Sequence, residues 1–229
     1  WSTIEVPSQW ELQGFGSYCY GRWYKDPAIE HPPREKGIYR RSFDVPASWR
    51  GKSVRIVFEG VMTDTEVRIN GRLAGAVHRG GFNEFAYEVA PLLRYGSKNR
   101  IEVTVSKESS DKSVNAAERK ADWWIFGGIY RPVYLESKPP VHIEGLALDP
   151  KADGSLRAVV YTTALEEGHT LTLALDGKEN RSQAVGAGSR HEANAVWEGI
   201  RAWNPEQPTL YTLTVTLREG ALHYTGEKD

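Results

Sequence analysis

Thr65-Glu66-Val67-Arg68-Ile69-Asn70-Gly71-Arg72-Leu73 decides how the fold is read. Thr65, Val67 and Ile69 fall on one side and Glu66 and Arg68 on the other, the two-residue period of a half-buried strand. Asn70-Gly71 suits a two-residue hairpin turn, because both positions tolerate positive φ, and Leu73 then begins the return strand. The same alternation spreads outward. Upstream, Tyr39, Phe43 and Val45 alternate with Arg40, Ser42 and Asp44, and Val54, Ile56 and Phe58 with Ser53 and Arg55. Downstream come Phe85, Tyr87 and Val89, then Ile101, Val103 and Val105, and a last strand around Ile129 to Leu135. Pro132 inside that last strand argues for an edge or a bulge. Short strands with turn signals at about 8–12-residue spacing mean a sandwich or barrel. No segment carries a convincing helical period.

Lys138-Pro139-Pro140 marks a boundary, because two prolines stiffen a linker and cannot donate to a ladder. The alternation restarts after it at 141–148, 155–164 and 170–176, turns at Asp176-Gly177, and resumes at 182–197 and 210–218. Some seven short strands in about 90 residues match the size of an immunoglobulin-like sandwich, without the paired cysteines of antibody domains. The expected fold class is therefore all-β, with one sandwich over 1–138 and a second over 139–229.

Composition narrows the function. Hydrophobic content of 40% with 26% charged residues is that of a globular chain rather than a disordered one. The net charge of −1 and the scattered Lys and Arg residues argue against a nucleic-acid partner. No stretch reaches the ~20 apolar residues of a membrane helix. Cys19 is the single cysteine, so no internal disulfide forms. This suits the cytosol, and equally a periplasmic or extracellular protein whose signal segment has been removed. Eight Trp and eleven Tyr are many for this length. Core packing is the plain reading; sugar recognition is the sharper one, since aromatic planes suit the C–H faces of sugar rings and Tyr and Trp keep a polar tip.

Two segments break the strand rhythm. Residues 7–36 hold Trp10, Phe15, Tyr18, Tyr20, Trp23 and Tyr24, and residues 107–128 hold Trp123, Trp124 and Phe126. Loops of this length either plug the ends of a sandwich or build a binding surface. Catalytic signatures are missing. No G-x-S-x-G elbow occurs, and Ser189 reads as a turn residue. The His residues at 31, 78, 142, 169, 191 and 223 make no metal-ligand spacing. Gly14, Gly16 and Gly21 precede no helix that could cradle phosphate. Asn83-Glu84 imitates the acid/base dipeptide of retaining glycosidases, but Glu84 alternates with Phe85, Tyr87 and Val89 and belongs on a solvent-facing surface. No residue is assigned as catalytic.

Several segments in order resemble family 2 glycoside hydrolases, the family of β-galactosidases, β-glucuronidases and β-mannosidases. Gly37-Ile38-Tyr39-Arg40-Arg41-Ser42-Phe43-Asp44-Val45-Pro46 with Trp49, Phe58-Glu59-Gly60-Val61, Val67-Arg68-Ile69-Asn70-Gly71 and His78-Arg79-Gly80-Gly81-Phe82 resemble its sugar-binding jelly roll. Asp122-Trp123-Trp124-Ile125-Phe126-Gly127-Gly128-Ile129-Tyr130-Arg131-Pro132-Val133 resembles the segment closing that domain. Trp203-Asn204-Pro205 and Pro208-Thr209-Leu210-Tyr211-Thr212-Leu213 resemble a late strand of the immunoglobulin-like domain that follows.

The resemblance implies a non-catalytic N-terminal region of a retaining exo-β-glycosidase, β-galactosidase-like in the first instance. Its partners would be a β-linked sugar and a catalytic (β/α)₈ barrel, and the parent could be a homo-oligomer. It reads the chain as a fragment ending inside the last strand of its second domain, near Leu222 to Asp229. It also implies substrate-binding roles for Asp122, Arg22, Trp23, Trp123 and Trp124. Asp122 would hold a sugar hydroxyl or, in the parent, a cation; a turn-forming Asp is the competing reading. Where the family often has Asn near Tyr20, this chain has Arg22, which binds no cation and suits an acidic sugar instead. No cofactor is required. Trp124 carries a competing reading as core, and Trp203 reads as core. An independent carbohydrate-binding module is the second functional class, and a purely structural or adhesive sandwich pair the third.

Overall fold

The computed structural model describes residues 1–26, 28, 34–120, 122–219 and 222–228, without the side chains of Trp23, Tyr24, Arg181 and 222–228. His31 lies outside the described residues, as does the side chain of His223. The chain divides into two compact units, Trp1–Ser137 and Lys138–Asp229.

In the first unit, β1 (Lys36–Val45), β6 (Ser97–Ser106), β3 (Asp64–Ile69) and β4 (Arg72–Leu73) form one sheet in the order β1-β6-β3-β4. The second sheet has β5 (Phe85–Glu88), β2 (Ser53–Phe58) and β7 (Val133–Lys138) in the order β5-β2-β7. In the register Tyr39 and Val67 both face Val103, which lies between them on the central strand. The inward residues Val54, Ile56, Phe58, Val67, Ile69, Ile101, Val103 and Val105 make the core with Trp10 and Ile129. Asn70 and Gly71 take positive φ (51° and 84°) in the β3–β4 turn. The last strand starts later than the alternation indicates, at Val133. Pro132 precedes it and uses its carbonyl to accept the Glu59 amide at 3.1 Å. Glu84 is exposed just before β5.

The helix-free expectation needs correcting. Within 107–128 the chain forms α1 (Lys112–Glu118), started by Asp111, whose side chain accepts the Ser113 amide at 2.8 Å. This cap satisfies a first-turn donor and stabilises a helix too short to show a period.

In the second unit, β8 (Ile143–Pro150), β9 (Ser155–Leu165) and β12 (Gly188–Val196) form a sheet in the order β12-β9-β8. β10 (His169–Leu175), β11 (Lys178–Val185), β13 (Leu213–Glu219) and β14 (Leu222–Lys228) form the other, in the order β11-β10-β13-β14. Asp176 and Gly177 take φ of 47° and 76° in the β10–β11 hairpin. The stretch read as 182–197 is thus two strands, β11 and β12. Ser189 is no turn residue: it lies in β12, where the register against β9 shifts between Gly188 and Arg190.

The core of this unit is Leu156, Val160, Leu171, Leu173, Val215 and Leu217 with Trp197. Trp203 does not join it and is 58% exposed. Trp197 continues the inward face of Ala193 and Ala195 and takes the buried place, whereas residues 201–212 run outside any strand. β13 begins only at Leu213, so Pro208–Thr212 is not strand.

Candidate functional site

The two aromatic segments meet. Ser8 and Trp10 donate their amides to the carbonyls of Ile129 (2.8 Å) and Gly127 (3.1 Å). The Ile125 amide donates to Cys19 (2.7 Å) and the Gly21 amide to Trp123 (2.7 Å), with an antiparallel bridge between Tyr20 and Trp124. The first segment thereby lies along the second, and residues 21–24 close it in a 3₁₀ turn.

This pairing brings Asp122 to Tyr20 and Arg22. The Tyr20 hydroxyl donates to Asp122 Oδ1 at 2.5 Å, and Arg22 Nη1 lies 3.5 Å from Oδ2. The pair is open to solvent, with side chains 52% and 65% exposed, so it is a surface arrangement rather than a buried lock. The hydrogen bond to Asp122 is the main cause holding the Tyr20 phenol above its ordinary range, because a donated proton is harder to lose; burial adds to it and Arg22 opposes it.

Around this group stands an aromatic surface. Trp124 meets Tyr20 edge-on at 5.3 Å and Tyr18 at 6.0 Å, and Tyr18 meets Phe126 at 5.9 Å. Trp123 and Trp124 are both about half exposed, 46% and 52%. The reading of Trp124 as core is therefore overturned. Ile125, fully buried, takes the inward position of this stretch. Trp23 lies in the same 3₁₀ turn as Arg22; its side chain is outside the described residues.

Three glycines shape the slot for the Trp10 indole. A Cβ on Gly127 would come 2.2 Å from Trp10 Cζ2, one on Gly37 2.6 Å from Cζ3, and one on Gly16 2.9 Å from Nε1. A cleft of about 520 Å³ opens nearby between Trp1, Ile4, Phe15, Glu35 and Ile38, and includes none of the Asp122 group.

Beneath the surface lies a layer of buried charge that the sequence reading did not single out. Lys107 is fully buried and pairs with Glu11 (2.7 Å) and Glu35 (3.2 Å). Both Glu11 oxygens accept the Gly127 amide at 3.1 Å. Arg119 is 3% exposed and donates to the Phe126 carbonyl at 3.0 Å; burial lowers its pKa to about 10. The position of Lys107 had a signal: it continues the inward face of Ile101, Val103 and Val105.

The donor set at Asp122 does not suit a metal ion. Among the described residues the group offers one carboxylate, both its oxygens are engaged, and one partner is a guanidinium that repels cations. Among the described residues no three His, Cys, Asp or Glu side chains gather in a way that could hold a metal. No helix among them is long and apolar enough to cross a membrane.

Known proteins share this architecture. The model for the sugar binding domain of glycosyl hydrolases family 2 matches residues 1–139. The β-galactosidase of Thermoanaerobacter pseudethanolicus is 28% identical over 191 residues, covering 78% of this chain and 25% of its own length. A putative β-glucuronidase of Formosa agariphila is 28% identical over 229 residues, covering 96% of this chain and 26% of its own length. The chain thus spans about a quarter of the length of these curated relatives. A family 2 glycosyl hydrolase structure from Bacteroides cellulosilyticus aligns with a TM-score of 0.76 at 19% identity, covering 99% of this chain and 31% of that one. The β-glucuronidase structure from Bacteroides uniformis aligns at 0.74 and 23%, covering 99% and 28%. At such identities the structures speak for the fold alone, a jelly-roll-type sandwich followed by an immunoglobulin-like one. The family model, which covers more than half of the residues, speaks for descent: the chain belongs to glycoside hydrolase family 2.

Proposed function

We propose that this chain is the non-catalytic sugar-binding and immunoglobulin-like part of a retaining exo-β-glycosidase, β-galactosidase-like in its first reading. In that role the Tyr20–Arg22–Asp122 group would contribute sugar contacts to a pocket completed by residues outside this sequence. The observation that carries the reading is the meeting of Asp122 with Tyr20 and Arg22 across about a hundred residues, beside two half-exposed tryptophans. A carboxylate accepts from sugar hydroxyls, a phenol and a guanidinium donate, and exposed indoles stack on the ring. Retaining hydrolysis needs two carboxylates about 5–5.5 Å apart across the scissile bond, and the Asp122 group offers one.

The chain alone is therefore expected to hydrolyse neither nitrophenyl β-galactoside nor nitrophenyl β-glucuronide. Turnover by pure chain that disappears on mutating one carboxylate would overturn the reading. The half-exposed guanidinium of Arg22 favours one variant of it, an acidic sugar, since Arg pairs well with a carboxylate. The half-exposed Trp123 and Trp124 favour the alternative of an independent carbohydrate-binding module. That alternative requires the isolated chain to bind sugar tightly by itself.

A further inference from the structure

We propose that Lys107 and Glu11 are positioning residues, a buried ion pair that fixes how the two aromatic segments lie against each other so that Tyr20 and Arg22 reach Asp122. The proposal deepens the site reading above and rests on it for its functional meaning. An ammonium has three donors. Lys107 spends all three: on Glu11 Oε1 (2.7 Å), the Ser17 carbonyl (2.5 Å) and Glu35 Oε2 (3.2 Å). Glu11 and Ser17 belong to the first segment. Glu11 in turn takes the Gly127 amide, which belongs to the second. Glu35 lies at the end of the same segment, so one ammonium holds the first segment at three points and, through Glu11, the second at Gly127. Arg119 holds the second segment again at the Phe126 carbonyl. Tyr18 to Arg22 and Asp122 to Trp124 follow or precede these anchors within a few residues.

Stability alone does not explain the pair. Two charges lose their hydration when both side chains are fully buried, and replacing a buried ion pair by well-packed apolar residues is often neutral or stabilising. What it adds is direction: three fixed acceptors leave one arrangement of the segments. The apolar alternative would hold the same volume without fixing register.

The test uses the 229-residue chain and the Tyr20 phenol as a reporter, read by NMR of ¹³C-labelled tyrosine and assigned with Tyr20→Phe. In the wild type Tyr20 titrates above its ordinary value because it donates to Asp122. Asp122→Asn calibrates the loss of that contact. The double variant Lys107→Met/Glu11→Gln removes both charges together, and its amide oxygen can still accept from Gly127. It is expected to melt cooperatively and to lose at least half of the Tyr20 shift that Asp122→Asn removes.

A folded double variant whose Tyr20 titrates as in the wild type overturns the proposal. Should the double variant fail to fold, Glu11→Gln alone decides, because it breaks the ion pair while Lys107 keeps Glu35 and the Ser17 carbonyl. A reduced Tyr20 shift there supports the proposal, and an unmoved one overturns it. Titration of the wild type with methyl β-galactoside runs alongside. Absence of binding there sinks the sugar reading and leaves the positioning claim to stand or fall on Tyr20.

Discussion

Replacing Gly127 by Ala tests the junction between core and candidate site. The added Cβ would lie 2.2, 2.5 and 2.7 Å from Trp10 Cζ2, Cε2 and Cη2. Carbon atoms prefer about 3.5–4.0 Å, so the indole must retreat by about 1 Å or more. It has little room, because the opposite edge of its six-membered ring already rests 2.6 and 2.8 Å from where a Gly37 Cβ would be. Trp10 is 5% exposed, so the strain cannot be relieved into solvent. The alternative, moving the closing segment, breaks the Gly127 amide bond to Glu11. Overpacking of this kind costs about 1–3 kcal/mol or more. Thermal unfolding followed by near-ultraviolet circular dichroism should show Tm lowered by about 2–12 °C, taking roughly 2–4 °C per kcal/mol. Gly145→Ala, with nothing within 4 Å of its Cβ, is the control and should stay within about 0.5 kcal/mol. Trp10→Phe in the Gly127→Ala background should recover part of the loss, giving a coupling energy of about 0.5–3 kcal/mol between the two sites. A Gly127→Ala chain that melts within about 1 °C of the wild type would refute the reasoning, since even 1 kcal/mol should show as a larger shift.

Burial raises the Tyr39 phenol from 10.0 to about 12. Its folded value lies above its unfolded one, so the stability it contributes is complete below pH 10 and is lost as pH rises towards 12. Urea unfolding at rising pH should show this decline, and Tyr39→Phe should flatten it. In the second unit, Trp197→Ala should cost about 3–5 kcal/mol in urea unfolding, as loss of a buried Trp does. Trp203→Ala should stay within about 0.5 kcal/mol, because its side chain is largely outside the core. Equal losses at the two positions would contradict the assignment of the core.

The strands and hairpins were legible because their signals are local. Period-2 alternation marks the inward face, and Asn70-Gly71 and Asp176-Gly177 supply the positive φ that their turns use. The two long segments announced themselves by aromatic content. Their meeting did not, because nothing local to Tyr20 points to a partner 102 residues away. The resemblance named Asp122 and Arg22, and the fold placed them together with Tyr20, which had not been assigned a role. Which aromatic residues are buried was hidden for a related reason. Ile125 rather than Trp124, and Trp197 rather than Trp203, follow the inward face of their own stretches, and a count of tryptophans carries no direction. Lys107 escaped notice because lysine is rarely buried unless paired, and its partners Glu11 and Glu35 are remote in sequence. The helix α1 escaped because seven residues are two turns, too short for a period, and it is held by the Asp111 cap and by hydrogen bonds of Asn115 and Glu118 to Ser109 and Gly81.

The claim that the Asp122 surface touches sugar is tested most directly by ¹H–¹⁵N NMR titration of this chain with methyl β-galactoside and methyl β-glucuronide. The account predicts saturable shifts confined to residues 18–24 and 122–126, with a Kd of about 1–10 mM, as suits an incomplete pocket worth about 3–4 kcal/mol. Asp122→Ala and Trp124→Ala should each abolish them without unfolding the chain, and a micromolar Kd would favour the independent binding module instead. Shifts that fall elsewhere, that persist in Asp122→Ala, or that never appear would contradict it.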